Sequence, residues 1–288
     1  MKTVDTLVRD IYHLMETKEI PEGVNLEAQC KAFGEVMAKT LYDQLQPEKD
    51  RTGLLRLSAI GKPDKKIWSA FKGVAGEPLR GPTYIKFLYG HLIEAMLLSL
   101  AKVAGHQVTD EQKEVSVEGV KGHMDCRIDG MLTDVKSCSS YGFKKFKNHT
   151  LHEDDPFGYI AQIKAYAHAE GDHEYGWLAM DKQNGTLAWL QYDESDVETH
   201  YYPAVAWDAG ERVRHVKKMV ASDISPDICY EPVPDGKSGN EKLSSGCSYC
   251  DYKHNCFPNL KTYVYASGPR YLTKVVREPR ALEIPEEF

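Results

Sequence analysis

Between residues 113 and 137 apolar and polar positions alternate, with breaks at Glu118-Gly119 and Asp129-Gly130. Alternation at period two predicts strands, and an Asp-Gly pair between alternating segments predicts a two-residue hairpin turn. In the stretch GHMDCRIDGMLTDVKS, residues 122 to 137, that turn sets Ile128 against Met131. Counting outward, Asp125 falls opposite Asp134 and His123 opposite Lys136. The other face carries Met124, Cys126 and Ile128 against Met131, Thr133 and Val135, and is apolar enough to belong to a core. The register predicts Asp125, Asp134 and Lys136 on one face.

Elsewhere the apolar spacing is helical. It predicts helices over 25–46, over 63–73 with Trp68 and Phe71, and from Thr83 to Gly105. DDPFGYIAQIKAYAHAEG reads as a helix entered at Asp and Pro and left at Gly171. GWLAMDKQNGTLAWLQY reads as two strands joined at Asn184-Gly185. A long helix over 193–221 follows, with Pro203 and Gly210 against its continuity. Helices, strands, helix, strands, helix predict an α/β (α+β) fold, a mixed central sheet flanked by helices. The expected divisions are a helical N-terminal region at 1–57, a core at 58–225, and a C-terminal cysteine lobe and tail at 226–288.

Composition narrows the class. The 288 residues are 42% hydrophobic and 27% charged, with a net charge of −7. MKTVDTLVRDIYHLME is charged and amphipathic, unlike a signal peptide. The apolar run LIEAMLLSLAKVAG is interrupted by Glu94 and Lys102, which argues against a membrane span. A cytoplasmic protein with no membrane partner is expected. Net negative charge argues against a nucleic-acid binder, yet basic clusters can act locally. These are Lys62, Lys65, Lys66, Lys72 and Arg80; Lys144, Lys145 and Lys147; and Arg212, Arg214, Lys217 and Lys218. Each reads equally as a solvated face. Of seven cysteines, Cys30, Cys126, Cys138 and Cys229 are scattered, while Cys247, Cys250 and Cys256 cluster. That is a metal-site pattern rather than a disulfide framework.

Directly opposed like charges destabilise a sheet. Either a hard divalent cation, which carboxylates bind, or water on an exposed face would offset the repulsion between Asp125 and Asp134. The tripeptide Asp134-Val135-Lys136 does not discriminate alone, since Glu111-Gln112-Lys113 and Asp64-Lys65-Lys66 share its pattern. Two further features flank the hairpin. Gly90-His91-Leu92-Ile93-Glu94 puts a carboxylate in a mostly apolar helix, where it is either paired or at the rim. Gln162 and Tyr166, four apart, share a helix face.

In order, Gly-x-x-x-Glu on a helix, Asp on a strand, Asp-x-Lys on the next strand and Gln-x-x-x-Tyr on the next helix resemble the PD-(D/E)XK nuclease superfamily. The likeness is to its RecB-like and lambda-exonuclease-like branch, and covers roughly Ser58 to Cys256. It implies a restriction-endonuclease-like core. It implies that Glu94, Asp125, Asp134 and the Val135 carbonyl bind Mg²⁺ or Mn²⁺. Lys136 would hold or activate the attacking water, and Gln162 and Tyr166 would position the strand. Met124 stands where the superfamily has Pro, and Glu94 where many RecB-like members have His.

The spacing of Cys247, Cys250 and Cys256 resembles the iron–sulfur lobe of AddB and the CRISPR-adaptation nucleases. In that lobe a fourth cysteine comes from far upstream, and here Lys62 occupies its place. Three readings stay open: an iron–sulfur cluster with Cys30 or another distant residue as fourth ligand, a Zn²⁺ site completed by His254, or a lobe without metal. The resemblance implies a metal-dependent DNA exonuclease of recombination, repair or phage-type DNA processing. Its partners would be DNA and recombination or replication proteins. The rivals are a flap endonuclease on the same fold, a non-catalytic DNA-binding module, and a redox or metal sensor.

Overall fold

The computed structural model describes residues 2–47, 50–193 and 208–284. In chain order its helices are α1 (Leu7–Thr17), α2 (Leu26–Gln44), α3 (Asp64–Phe71), α4 (Gly81–Val103), α5 (Ser140–Lys147), α6 (Tyr159–Glu170), α7 (Ala209–Ala221) and two single turns, α8 (Ser245–Ser248) and α9 (Lys253–Cys256). The strands are β1 (Val108–Thr109), β2 (Glu114–Val117), β3 (Val120–His123), β4 (Cys126–Ile128), β5 (Met131–Cys138), β6 (Glu174–Asp181), β7 (Leu187–Asp193), β8 (Val233–Pro234), β9 (Glu241–Lys242), β10 (Lys261–Tyr265), β11 (Gly268–Lys274) and β12 (Leu282–Ile284). This is the mixed α+β architecture expected from the pattern. The part of the predicted 193–221 helix between 194 and 207 lies outside the described residues.

The chain divides into two compact units, one of residues 1–50, 55–61 and 79–213, the other of 51–54, 62–78 and 214–288. In the first, a five-stranded sheet runs β1-β4-β5-β6-β7, with β5 and β6 parallel and the other pairs antiparallel. A parallel pair needs a crossover, and α5 and α6 lie between β5 and β6 in the chain. One sheet face packs Cys126, Ile128, Val135 and Leu178 against Leu7, Ile11 and Leu14 of α1 and Ile93, Leu97, Leu98 and Ala101 of α4. The other face carries Trp177 with Tyr175, Tyr192 and Phe146 around it, at ring-centroid distances of 5.8, 5.6 and 6.3 Å. Side chains alternate along a strand, so Asp134, whose sheet neighbour is Trp177, lies on this aromatic face.

By length and composition α4 would suffice to cross a membrane, and it exceeds the segment singled out by hydropathy. The core it contributes to the sheet accounts for its apolar inner face. Its first turns are different: Ile85, Phe87 and Tyr89 are exposed. The predicted helix over 25–46 forms as α2, capped by Asn25 accepting from the Ala28 N–H, but buries no residue.

The Asp129-Gly130 turn forms as predicted, with φ of 51° and 89°, the double positive φ of a type I′ hairpin. Ile128 pairs with Met131 and Cys126 with Thr133. There the predicted register stops. The Gln112 N–H donates to the Asp125 carbonyl at 2.9 Å and the Met124 N–H to the Lys113 carbonyl at 3.1 Å. Those bonds pull residues 124–125 away from β5, so Asp125 lies beyond the ladder, and His123 pairs with Glu114 rather than Lys136. The entry to α6 also differs from expectation. The helix begins at Tyr159, after Gly158 at φ 75°, and Asp155 accepts from the Ile160 N–H at 2.9 Å. DDPF is therefore a capping loop rather than a first turn.

The second unit contains α3 and a five-stranded sheet ordered β12-β10-β11-β9-β8, all antiparallel. Its small core is Leu243, Cys247 and Leu260, with Tyr230, Phe257 and Tyr271 against it.

Candidate active site

β5 supplies Asp134 and Lys136, spaced two apart and so on one face. Asp134 is buried, at 2% exposure. Lys136 ion-pairs with it, and the Asp125 side chain also hydrogen-bonds it. Asp125, in the break between β3 and β4, reaches the same strand through Oδ2, which accepts from the Val135 N–H at 2.8 Å. The opposed aspartates foreseen from the hairpin thus meet, by a side-chain-to-main-chain bond instead of ladder pairing. In this arrangement the lysine ammonium is the positive charge that offsets their repulsion.

Glu94 projects from α4 into the same electrostatic neighbourhood. Gln112 Nε2 donates to its Oε1 at 2.9 Å, and its side chain is 21% exposed. Burial, then repulsion from Asp125 and Asp134, pushes its carboxyl up to about 8. Burial first, then Asp125, raises the Asp134 carboxyl to about 7, against the pull of Lys136. For Lys136 burial acts downward, but Asp134, Asp125 and Tyr159 outweigh it and the net shift is upward. The lysine therefore stays an ammonium throughout the pH range in which the carboxyls titrate.

α6 brings in Gln162 and Tyr166. Gln162 Nε2 donates to the Tyr166 hydroxyl at 3.2 Å, and Tyr166 is buried at 1% exposure. Burial pushes its phenol up to about 12, with Asp134 and Asp125 adding to the rise. The position of α6 depends on a close backbone crossing. A Cβ on Gly158 would stand 2.4 Å from the Gly61 main chain, and one on Gly61 would stand 2.4 Å from Gly158. The far end of α6 is tied to β4 by Arg127, whose Nη2 lies 2.6 Å from Asp172 and 3.3 Å from Glu170.

Two residues of the site were not found from the sequence. Gln112 holds Glu94 from a left-handed backbone conformation, φ 54°. Tyr159 lies under Lys136, its ring centroid 4.9 Å from Nζ, and stacks with Phe157 at 5.5 Å. Neither belongs to a spaced motif, and only the Gly158-Tyr159 step into a capped helix would have drawn attention to the second.

Among the described residues no three His, Cys, Asp or Glu side chains are close enough together to hold a metal ion as they stand. The donor set nevertheless fits a hard cation: Glu94, Asp125 and Asp134 are oxygen ligands in one electrostatic neighbourhood, with Asp134 buried.

The basic clusters separate. Arg212 is buried, and its Nε donates to the Ile60 carbonyl at 3.0 Å, so it is a structural cation. Lys72 ion-pairs with Asp223. Lys145 ion-pairs with Asp154, while Lys144 and Lys147 are exposed on α5, the helix that follows β5.

No family model matches the chain, and no curated protein matches it. Among solved structures it is similar to that of SSO0001, at 14% identity and a TM-score of 0.42, over 77% of this chain and 95% of the other. It is also similar to LHK-Exo in complex with dAMP, at 11% identity and a TM-score of 0.38, over 59% of this chain and 91% of the other.

Proposed function

We propose that the chain is a metal-dependent deoxyribonuclease of the PD-(D/E)XK type, acting as a DNA exonuclease in recombination, repair or phage-type DNA processing. The observation that carries this reading is one neighbourhood holding Glu94, Asp125, Asp134 and Lys136, in which Asp134 is buried against Asp125 and Lys136. Folding keeps this costly cluster of like charges, which a binding module would not require.

Glu94, Asp125, Asp134 and the Val135 carbonyl would hold Mg²⁺ or Mn²⁺. When bound, the ion would supply Lewis acidity toward the phosphate and lower the pKa of attacking water. Lys136 contributes a permanent positive charge, placed to stabilise the charge that develops on the phosphoryl oxygens. Tyr159 packs under that ammonium and limits where it can go. The Gln162–Tyr166 pair, anchored by the Gly61–Gly158 crossing, offers an amide and a phenol to orient the strand. Lys144 and Lys147 offer phosphate contacts beyond the scissile bond.

The test is incubation of purified protein with linear and covalently closed circular DNA, with Mg²⁺, Mn²⁺, Ca²⁺ or excess chelator. Degradation of linear DNA with Mg²⁺ or Mn²⁺ only, with circles spared, is the expected result. Full activity in chelator refutes the metal-dependent nuclease. Rapid linearisation of closed circles refutes the exonuclease and leaves an endonuclease.

A further inference from the structure

The second unit carries Cys247, Cys250 and Cys256 on and between two single helical turns, with the Cys250 N–H donating to the Cys247 carbonyl at 3.0 Å. Of the fourth ligands expected from the sequence, Cys30 is exposed on α2, and His254 Nε2 is paired with Glu77 Oε1 at 2.9 Å.

A fourth cysteine shares the electrostatic neighbourhood of the three. The Tyr230 main chain hydrogen-bonds the Cys247 thiol, and its ring packs on the Leu243–Cys247–Leu260 core. The contact is tight: a Cβ on Gly246 would come within 2.6 Å of that ring. The preceding residue, Cys229, is thereby brought within electrostatic reach of Cys247, Cys250 and Cys256 together. It is held from the other side as well. The Lys66 main chain hydrogen-bonds the Cys229 thiol. Trp68 Nε1 donates to the Ser222 carbonyl at 3.0 Å, and Lys65 Nζ to the Pro226 carbonyl at 3.2 Å, fastening the segment before Cys229 to α3.

We infer that Cys229 is the fourth thiolate of an iron–sulfur cluster held with Cys247, Cys250 and Cys256. It replaces the upstream cysteine absent at Lys62, and its sulfur rests on α3, four residues beyond that position. Iron–sulfur clusters are held by four thiolates. A single tetrahedral zinc, at a Zn–S distance of about 2.3 Å, needs its sulfurs only about 3.8 Å apart. Among the described residues no group of three His, Cys, Asp or Glu is placed to hold a single metal ion, and a cluster, being several atoms across, spans a wider set of sulfurs. The inference concerns the cysteine lobe and is read from iron and sulfide rather than from cleavage, so its failure is distinguishable from that of the nuclease reading.

The test is iron and acid-labile sulfide content, with the visible spectrum, of anaerobically purified full-length protein and three variants. Wild type, Cys30→Ser and His254→Ala should contain iron and sulfide in near-equal amounts, and Cys229→Ser should fall at least about tenfold, since even the loss of a partner outside the ligand set costs that much. Should Cys229→Ser be insoluble, alkylation of wild type read by mass spectrometry decides the matter. Cys229 should be protected together with Cys247, Cys250 and Cys256 and become reactive with them once the iron is stripped, while Cys30 reacts throughout. Wild type without iron, or with zinc alone, overturns the inference. So does Cys229→Ser with wild-type iron, equal iron loss in Cys30→Ser, or Cys229 as reactive as Cys30 in the loaded protein.

Discussion

Replacing Glu94 with Gln isolates the cost of gathering the carboxylates. Gln is nearly isosteric, and its carbonyl oxygen can still accept from Gln112 Nε2. What it removes is a charge that burial and two neighbouring aspartates disfavour. The carboxyl rises from 4.5 to about 8 in the folded chain. Such a shift is worth about 5 kcal/mol at most, at about 1.4 kcal/mol per pKa unit. With a side chain 21% exposed, solvent screening reduces this to about 2–4 kcal/mol. The raised folded-state value fixes the sign. Stabilisation by the proton is fully present below 4.5 and disappears as pH climbs through about 8. In chelator, Glu94→Gln should therefore match wild type near the lower pH and exceed it in stability above the upper one. Urea titrations at several pH values, followed by hydrogen exchange of the β5 amides, report the first unit by itself. Adding Mn²⁺ above the upper pH should then stabilise wild type more than the variant, because the ion needs the ionised carboxylate. A variant less stable than wild type at high pH, or a difference independent of pH, would refute the reasoning.

Lys136→Ala should lower cleavage by about 100- to 1,000-fold with DNA binding largely kept, as loss of one charge-stabilising group does; a wild-type rate at saturating Mg²⁺ in single-turnover assays contradicts this role. Gly158→Ala should cost about 3 kcal/mol or more, because φ 75° and the 2.4 Å approach to Gly61 act together; an unchanged melting temperature means the crossing is looser than described. Arg127→Leu strands Asp172, while Glu170 keeps Lys113 at 2.6 Å, and should destabilise by about 1–3 kcal/mol, read by urea denaturation. Lys144→Gln with Lys147→Gln should reduce the slope of log binding constant against log salt by about 2, whereas an unchanged slope returns α5 to an ordinary solvated face.

Local chemistry determined much of this protein. The period-two alternation and the Asp129-Gly130 pair specify a hairpin whose turn forms in the foreseen conformation, because only residues tolerating positive φ can close it. Helical spacing located α3, α4 and the body of α6, since burying an apolar stripe leaves a periodic trace. That Asp125, Asp134, Glu94 and the Gln162–Tyr166 pair come together was legible only as a set of spacings. Their meeting is the work of tertiary structure. The hairpin register alone would have put the two aspartates in a ladder and Lys136 beside His123. Main-chain bonds from residues 112–113 draw Asp125 aside, and no local pattern encodes them. Burial of Asp134 follows from its place beside Trp177 and β6, a parallel neighbour reached only after two intervening helices. Cys229 lay unremarked among the scattered cysteines for the same reason: it stands 18 positions before Cys247, and packing of Tyr230 against Gly246 and of α3 against residues 222–226 brings its thiol within electrostatic reach of the other three.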